Sequence, residues 1–460
     1  MKQLPLAVVT VSLGILVGCS GGHNSLLDSS SVPFVNNAIV RDLLNNDFSE
    51  EYRDDLMNIK KKCESVASLK MIAEMPIDHF SDLSETFKYY YGHDIKDAEN
   101  PTIVFIPGGP GGGSIRSIFP IESYNLLKID PRGVDCNYGT DQDIPLENLN
   151  TIQHVMDILA VIKHEGLKNY VIYGKSYGTE VATILADAIQ NLPVNPPRGV
   201  ILEGVIGKAY AEPDSWTQGF ANVANSFLDE NNSIREFFKS DPDPLDIPTA
   251  FWTSYISLAS DEWEDRREKL MDLSESLKSG HEKNGVISYF REKGRDFEDR
   301  SESSEPEEIP NDYVLYNISC KELSGQMCGR RYNLVFDNGL VVTNPADQLF
   351  SPQKYQNIEL SSPYDSAKYK IQVPLYYFQG TADPATPLSG ALYHFENQER
   401  FRSAVLNNKP LVFQKFRYRG HSPLMDIMRE NFSCWSKLFE AMFDGRTDLG
   451  DVVSHDGYCK

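Results

Sequence analysis

The stretch Tyr170-Val171-Ile172-Tyr173-Gly174-Lys175-Ser176-Tyr177-Gly178 constrains the fold more than any other part of the chain. Its first four residues are apolar without alternation, as in a strand buried on both faces. A glycine-flanked serine follows, and Val181, Ile184, Leu185, Ala188 and Ile189 then recur at helical spacing. Strand, sharp turn and helix in that order is the context of G-x-S-x-G, in which the turn lifts a serine hydroxyl clear of the sheet. The competing reading is a phosphate-binding G-x-x-x-x-G-K-[ST] loop. It requires a glycine where Asn169 stands, and a loop where residues 170–173 read as strand.

Apolar strands alternate with helices around this element. Residues 102–109 and 125–133 are apolar runs ending in turn residues, 151–166 carry a helical stripe closed by Gly166, and 199–205 form another run. Strand signals return at 371–380 and 410–421. The pattern predicts an α/β fold with a mostly parallel sheet covered by helices on both faces. From 206 to 370 the chain turns polar and helical, opening on a capping-box spacing at Ser215-Trp216-Thr217-Gln218, and reads as an inserted, mainly helical lid. The core thus divides into 46–205 and 371–460.

The ends and the cysteines speak to location. Residues 1–19 carry one lysine, an apolar stretch and Leu16-Val17-Gly18-Cys19, too short to span a membrane comfortably and laid out like a secretory signal. Leu-Val-Gly-Cys resembles the bacterial lipoprotein signal, in which the cysteine becomes the lipidated first residue. Residues 20–45 then form a tether, and the absence of aspartate at Ser20 favours an outer-membrane address. A plain signal peptide is the alternative. Of the seven cysteines, Cys19 aside, six remain, and an even number in an exported chain suggests disulfides. Local pairing joins Cys320 to Cys328 and Cys434 to Cys459, leaving Cys63 for Cys136. The net charge of −22 argues against nucleic-acid binding, and no metal-ligand spacing occurs.

A serine becomes a nucleophile near neutral pH when an imidazole takes its proton and a carboxylate orients the imidazole. In this architecture the acid and then the histidine should follow later strands. Asp383 stands in the loop after the run ending at Gln379, and His421 in the loop after the next. Oxyanion donors are expected from the N–H of Tyr177 and from the glycine-rich loop 107–114, with Gly109 chosen over the nearby Gly108. No register of that loop gives G-x-G-x-x-G, which excludes a dinucleotide site.

Taken together, "PGGPGG", "DPRG" (130–133), "GKSYGT" (174–179), "GTADPATP" (380–387) and "GH" (420–421) resemble the proline iminopeptidase and tripeptidyl aminopeptidase family of α/β-hydrolases. "MPIDHF" (75–80) resembles that family's N-terminal boundary segment. The likeness covers about 75–205 and 371–425; the lid does not match, and after "DPRG" Val134, Asp135 and Cys136 replace the usual glycine and serine. It implies a serine exopeptidase acting on peptides with a free N-terminus, without metal or cofactor. Ser176, Asp383 and His421 would form the triad, and Gly109 and Tyr177 the oxyanion hole. A substrate ammonium needs carboxylates, for which Glu212 and Glu203 are the candidates. The same machinery would serve a carboxylesterase, and a non-catalytic surface binding lipoprotein is a further alternative.

Overall fold

The computed structural model describes residues 68–97, 99–115, 124–137, 144–208, 363–383, 385–405, 407–417, 419–455 and 457–460, together with Cys63 and short pieces between 232 and 343. Eight strands form one sheet: β1 (Leu69–Pro76), β2 (Thr86–Asp94), β3 (Thr102–Ile106), β4 (Asn125–Lys128), β5 (Tyr170–Lys175), β6 (Gly199–Glu203), and, after a separate hairpin of β7 (Asn333–Val335) and β8 (Val341–Thr343), β9 (Leu375–Gly380) and β10 (Leu411–Phe416). Their spatial order is β1-β2-β4-β3-β5-β6-β9-β10. β1 and β2 are antiparallel to their neighbours and the rest run parallel.

The strand period of two explains how one sheet feeds two cores. Val104, Ile106, Ile172, Val200, Leu202 and Tyr377 face one side, where they pack with helices α1 (Thr151–His164) and α2 (Tyr177–Ile189) through Val155, Ile158, Val181 and Leu185. Their alternates Ile103, Phe105, Val171, Tyr173, Ile201 and Phe378 face the other, against Leu424, Ile427, Trp435, Leu438 and Phe439. Those residues belong to α4 (Pro423–Glu430) and α5 (Phe432–Phe443), while Ala391 of α3 (Leu388–Ala404) joins the first side. Because β3, β5, β6 and β9 bury both faces, their sequences are unbroken apolar runs. β2 instead alternates buried Phe87, Tyr89 and Tyr91 with exposed Thr86 and Lys88, as an antiparallel strand with one wetter face does.

This order, with helices on both faces and a long break in sequence between the paired strands β6 and β9, is the α/β-hydrolase fold. The two sides of the break are drawn together by a bridge between Lys208 and Asp365 and by the Ser366 N–H bonded to Gly207 O at 3.0 Å. α1 starts where the Asn150 side chain accepts the Gln153 N–H, and beyond its end Gly166 takes the left-handed φ of 59°. Ile152, although apolar, is 38% exposed, because Thr151, His154 and Ile158 fill the inward positions.

Two of the three expected cystine pairs lie among the described residues: Cys63–Cys136 and Cys434–Cys459, with Cα separations of 5.7 and 6.0 Å. Cys328 lies outside them. The two loops differ in span, 73 residues against 25. Replacing both cysteines by serine is therefore expected to cost about 4 kcal/mol for Cys63–Cys136 and about 3 kcal/mol for Cys434–Cys459. Urea denaturation of the two double variants checks the ranking, and a larger loss for the shorter loop would contradict it.

Candidate active site

The parallel strands end together, since Ile106, Gly174 and Leu202 share one row of the ladder and Glu203 and Phe378 the next. The loops that leave these ends therefore meet. Ser176 sits at the elbow between β5 and α2, half-buried, with φ 54° and ψ −123°. That backbone conformation suits glycine and costs about 1–3 kcal/mol in a side-chain-bearing residue. The elbow is held from three directions: the Ser176 N–H donates to Glu203 O at 2.8 Å, and Ser176 O accepts from the Thr179 N–H at 2.8 Å and its hydroxyl at 2.6 Å.

Asp383 and His421 come together although 38 residues separate them. His421 Nδ1 is 2.9 Å from Asp383 Oδ2, with Asp383 fully buried and the His421 side chain 13% exposed. Asp383 Oδ1 accepts the N–H groups of Ala385 and Thr386, while Oδ2 also takes the Thr386 hydroxyl at 2.6 Å and Gln379 Nε2 at 3.1 Å. Burial alone would raise the carboxyl, but the charge and hydrogen bond of His421 and the bonds from Thr386 outweigh it and hold Asp383 below its ordinary range. Gln379 is itself fixed, with Oε1 on the Val205 N–H and Nε2 also on Thr386 O. Sequence reasoning passed over Gln379; its signal is a polar residue closing an otherwise apolar buried strand.

The glycine-rich loop crosses this centre. A side chain at Gly108 would stand 2.8 Å from Ser176 Cβ, so only glycine fits, and Gly109 follows at φ 119°. The Tyr177 N–H is among the first N–H groups of α2, which have no partner within a helix. The loop is pinned by Asp130, which accepts the Ser114 and Ile115 N–H groups and the Ser114 hydroxyl. Burial pushes Asp130 up to about 6. Arg132, from the same "DPRG", pairs with Asp157 and donates to the carbonyls of Pro76 and Ile77, which anchors the "MPIDHF" segment. Val134, Asp135 and Cys136, where the sequence departs from the pattern it resembles, are all buried, and Asp135 lies against Gly113 of the glycine-rich loop.

Of the two candidate amine-binding carboxylates, Glu212 lies outside the described residues, as does Cys19. Glu203 is corrected. It is fully buried, and both its oxygens are taken: Oε1 by the N–H groups of Leu424 and Met425 at 2.6 and 3.0 Å, Oε2 by the Tyr173 hydroxyl. A substrate ammonium has no access to it. The other histidines stand apart: His394 is buried between Thr183 and Tyr377, and burial lowers both His394 and His154 to about 4. Among the described residues no group of three or more His, Cys, Asp or Glu is placed to hold a metal ion.

Asp426, in the first turn of α4, makes stability depend on pH. Burial and then the charge of Glu203 raise it to about 7. A carboxyl whose folded pKa exceeds its unfolded value favours the fold below the unfolded value, and that stability is lost as pH rises through the folded one. Asp426→Asn is expected to raise Tm at pH 8 and to leave it nearly unchanged at about pH 4. Equal shifts at both pH values in thermal melts would contradict this.

No family model and no curated protein matches the chain. Among solved structures it is similar to an esterase, RhEst1, from Rhodococcus sp. ECU1013, at 12% identity over 82% of this chain and 99% of that one, with a TM-score of 0.39. A 2-hydroxy-6-oxo-6-phenylhexa-2,4-dienoate hydrolase from Rhodococcus sp. strain RHA1 is 14% identical over 82% and 99%, TM-score 0.38. MGS-M2, an α/β hydrolase enzyme from a Medee basin deep-sea metagenome library, is 14% identical over 79% and 96%, TM-score 0.36.

Proposed function

We propose that the chain is a serine hydrolase that cleaves acyl bonds through an acyl-enzyme on Ser176. The observation that carries this is the buried Asp383 carboxylate bonded to His421 Nδ1 at the strand ends where Ser176 stands on a strained elbow. Asp383 fixes the Nδ1–H tautomer and leaves Nε2 free to accept. His421 takes the Ser176 proton as Oγ attacks the carbonyl carbon, and the N–H groups of Tyr177 and Gly109 receive the developing oxyanion. His421 then protonates the leaving group. Water, deprotonated by His421, attacks the acyl carbon and releases the carboxylic acid and Ser176.

The finer reading is an aminopeptidase of the prolyl or tripeptidyl type, acting on peptides with a free N-terminus. Its support is the ordered motif set, whose members hold the nucleophile, the acid and the boundary segment in the described core. The chain is further proposed to be exported and lipid-anchored through Cys19 to a bacterial membrane. Two cystines in the described residues support an oxidising compartment. Among the described residues no helix is long and apolar enough to cross a membrane.

One peptide set with free or acetylated N-termini, incubated with the full chain and with Ser176→Ala and read by mass, tests the activity. Cleavage near free termini alone, absent in the variant, is expected. Cleavage of simple esters with no cleavage of peptides would overturn the aminopeptidase reading, and no turnover of either would overturn the hydrolase. The mass of the mature N-terminal peptide tests the anchor; an unmodified Cys19 would refute it.

A further inference from the structure

The geometry points to Glu203 as a positioning residue that clamps the turn carrying His421 to the strand end that supports Ser176; this rests on the serine-hydrolase reading above. α4 begins directly after His421, yet its own N-cap, Ser422, makes no side-chain capping bond, and Pro423 has no N–H to give. The next two N–H groups, of Leu424 and Met425, converge on Glu203 Oε1 at 2.6 and 3.0 Å. The helix is therefore capped by a residue 221 and 222 positions earlier in the chain. Tyr173 secures the other oxygen: burial and Glu203 push its phenol well above the ordinary range, so its proton stays and is donated to Oε2.

The same short segment reaches each member of the proposed triad, Ser176 and His421 directly and Asp383 through Gln379. Glu203 O accepts the Ser176 N–H at 2.8 Å. Gly204, at φ 62°, lies so close to His421 that a side chain there would meet its ring and carbonyl at 2.8 to 3.0 Å. The Val205 N–H is bonded at 2.9 Å to Gln379, which holds Asp383. β6 supplies no reacting group but stands between β5, which delivers the nucleophile, and β9 and β10, which deliver the acid and the base. The Glu203 side chain is the link from that hub to the histidine turn. Its function follows from acceptor geometry: an oxygen at the reach of glutamate must be present, and the negative charge is secondary.

A fluorophosphonate probe reads this without a known substrate. Ser176 Oγ attacks phosphorus, fluoride leaves, and His421 takes the proton, so the maximal labelling rate kinact reports how well the histidine is held. The full chain and its Glu203→Gln, Glu203→Asp and Glu203→Leu variants are compared for kinact, KI and Tm. Glutamine keeps an oxygen at the same reach and is expected to retain kinact within about threefold. Aspartate keeps the charge but withdraws the oxygen by one methylene, and is expected to lose tenfold or more in kinact with KI unchanged, as is leucine. Should leucine prevent folding, aspartate against glutamine still decides. Equal kinact for aspartate and wild type, whatever the change in Tm, would overturn the positioning role, as would a glutamine variant as slow as aspartate. If wild type is not labelled at Ser176, the hydrolase reading itself falls and takes this inference with it.

Discussion

Asp383→Asn is expected to lower kcat by about four orders of magnitude, the scale seen when a triad carboxylate becomes an amide. The expected route is a wrong tautomer. The N–H groups of Ala385 and Thr386 hold an oxygen at the Oδ1 position, which forces the asparagine amide nitrogen into the Oδ2 position. There it faces Gln379 Nε2, the Thr386 hydroxyl and His421 Nδ1. The hydroxyl can turn round and accept, but the glutamine amide is fixed by Val205 and Thr386 O. His421 then accepts through Nδ1 and carries its proton on Nε2, where the proton of Ser176 must arrive. Turnover on whichever substrate is cleaved, or fluorophosphonate labelling in its place, checks the result. A loss under tenfold would show that Asp383 does not orient the base.

The largest effect on stability should come from a site with no part in the chemistry. Arg132 and Asp157 form a bidentate pair with side chains 1% and 0% exposed, and the guanidinium also stacks over Phe87, 5.2 Å from its centroid. Arg132→Ala leaves Asp157 charged in the interior and strips Pro76 and Ile77 of their donor, so a loss of about 3–5 kcal/mol is expected. That is a large part of the roughly 5–15 kcal/mol that holds a domain folded. Exchanging both partners together, Arg132→Met with Asp157→Leu, should recover part of it, because the buried charge goes while the Pro76 and Ile77 carbonyls still lack their donor and His79 loses its partner. Urea denaturation of the single and double variants measures this; a double variant as unstable as the single would refute it. Burial would raise Asp157, but Arg132 and then His79 outweigh it and hold the carboxyl low. Its contribution is therefore present above the unfolded carboxylate pKa and lost as pH falls through the lower folded value, so the pair should weaken only in strong acid.

The parts of the fold legible in sequence share one property. β3, β5, β6 and β9 are buried on both faces, and their uninterrupted apolar runs announce them. β1 and β2 were not read, because β1 is exposed at four of its eight positions and β2 alternates aromatics with polar residues in a pattern that a loop could also carry. Ser176, Asp383 and His421 could be nominated from sequence because each closes or follows a strand, so their chain order carries spatial information. Glu203 had the same position and was misassigned. A carboxylate at a strand end can face a ligand or cap a helix, and only the fold shows that the N–H groups of Leu424 and Met425 reach it first. Gln379 went unnoticed for a related reason: a side-chain amide carries no motif, and its role depends on what surrounds it.

The φ of 54° at Ser176 has an evolutionary consequence. The position is one where the chain gains stability by losing its proposed nucleophile, since glycine takes that backbone conformation without strain. A gene copy released from selection for catalysis should therefore drift at codon 176 toward glycine sooner than at the codons for Asp383 or His421, whose replacement disrupts buried bonds. Among descendants of this chain, glycine at 176 beside an intact acid and base would mark a scaffold that has kept its architecture and abandoned its chemistry.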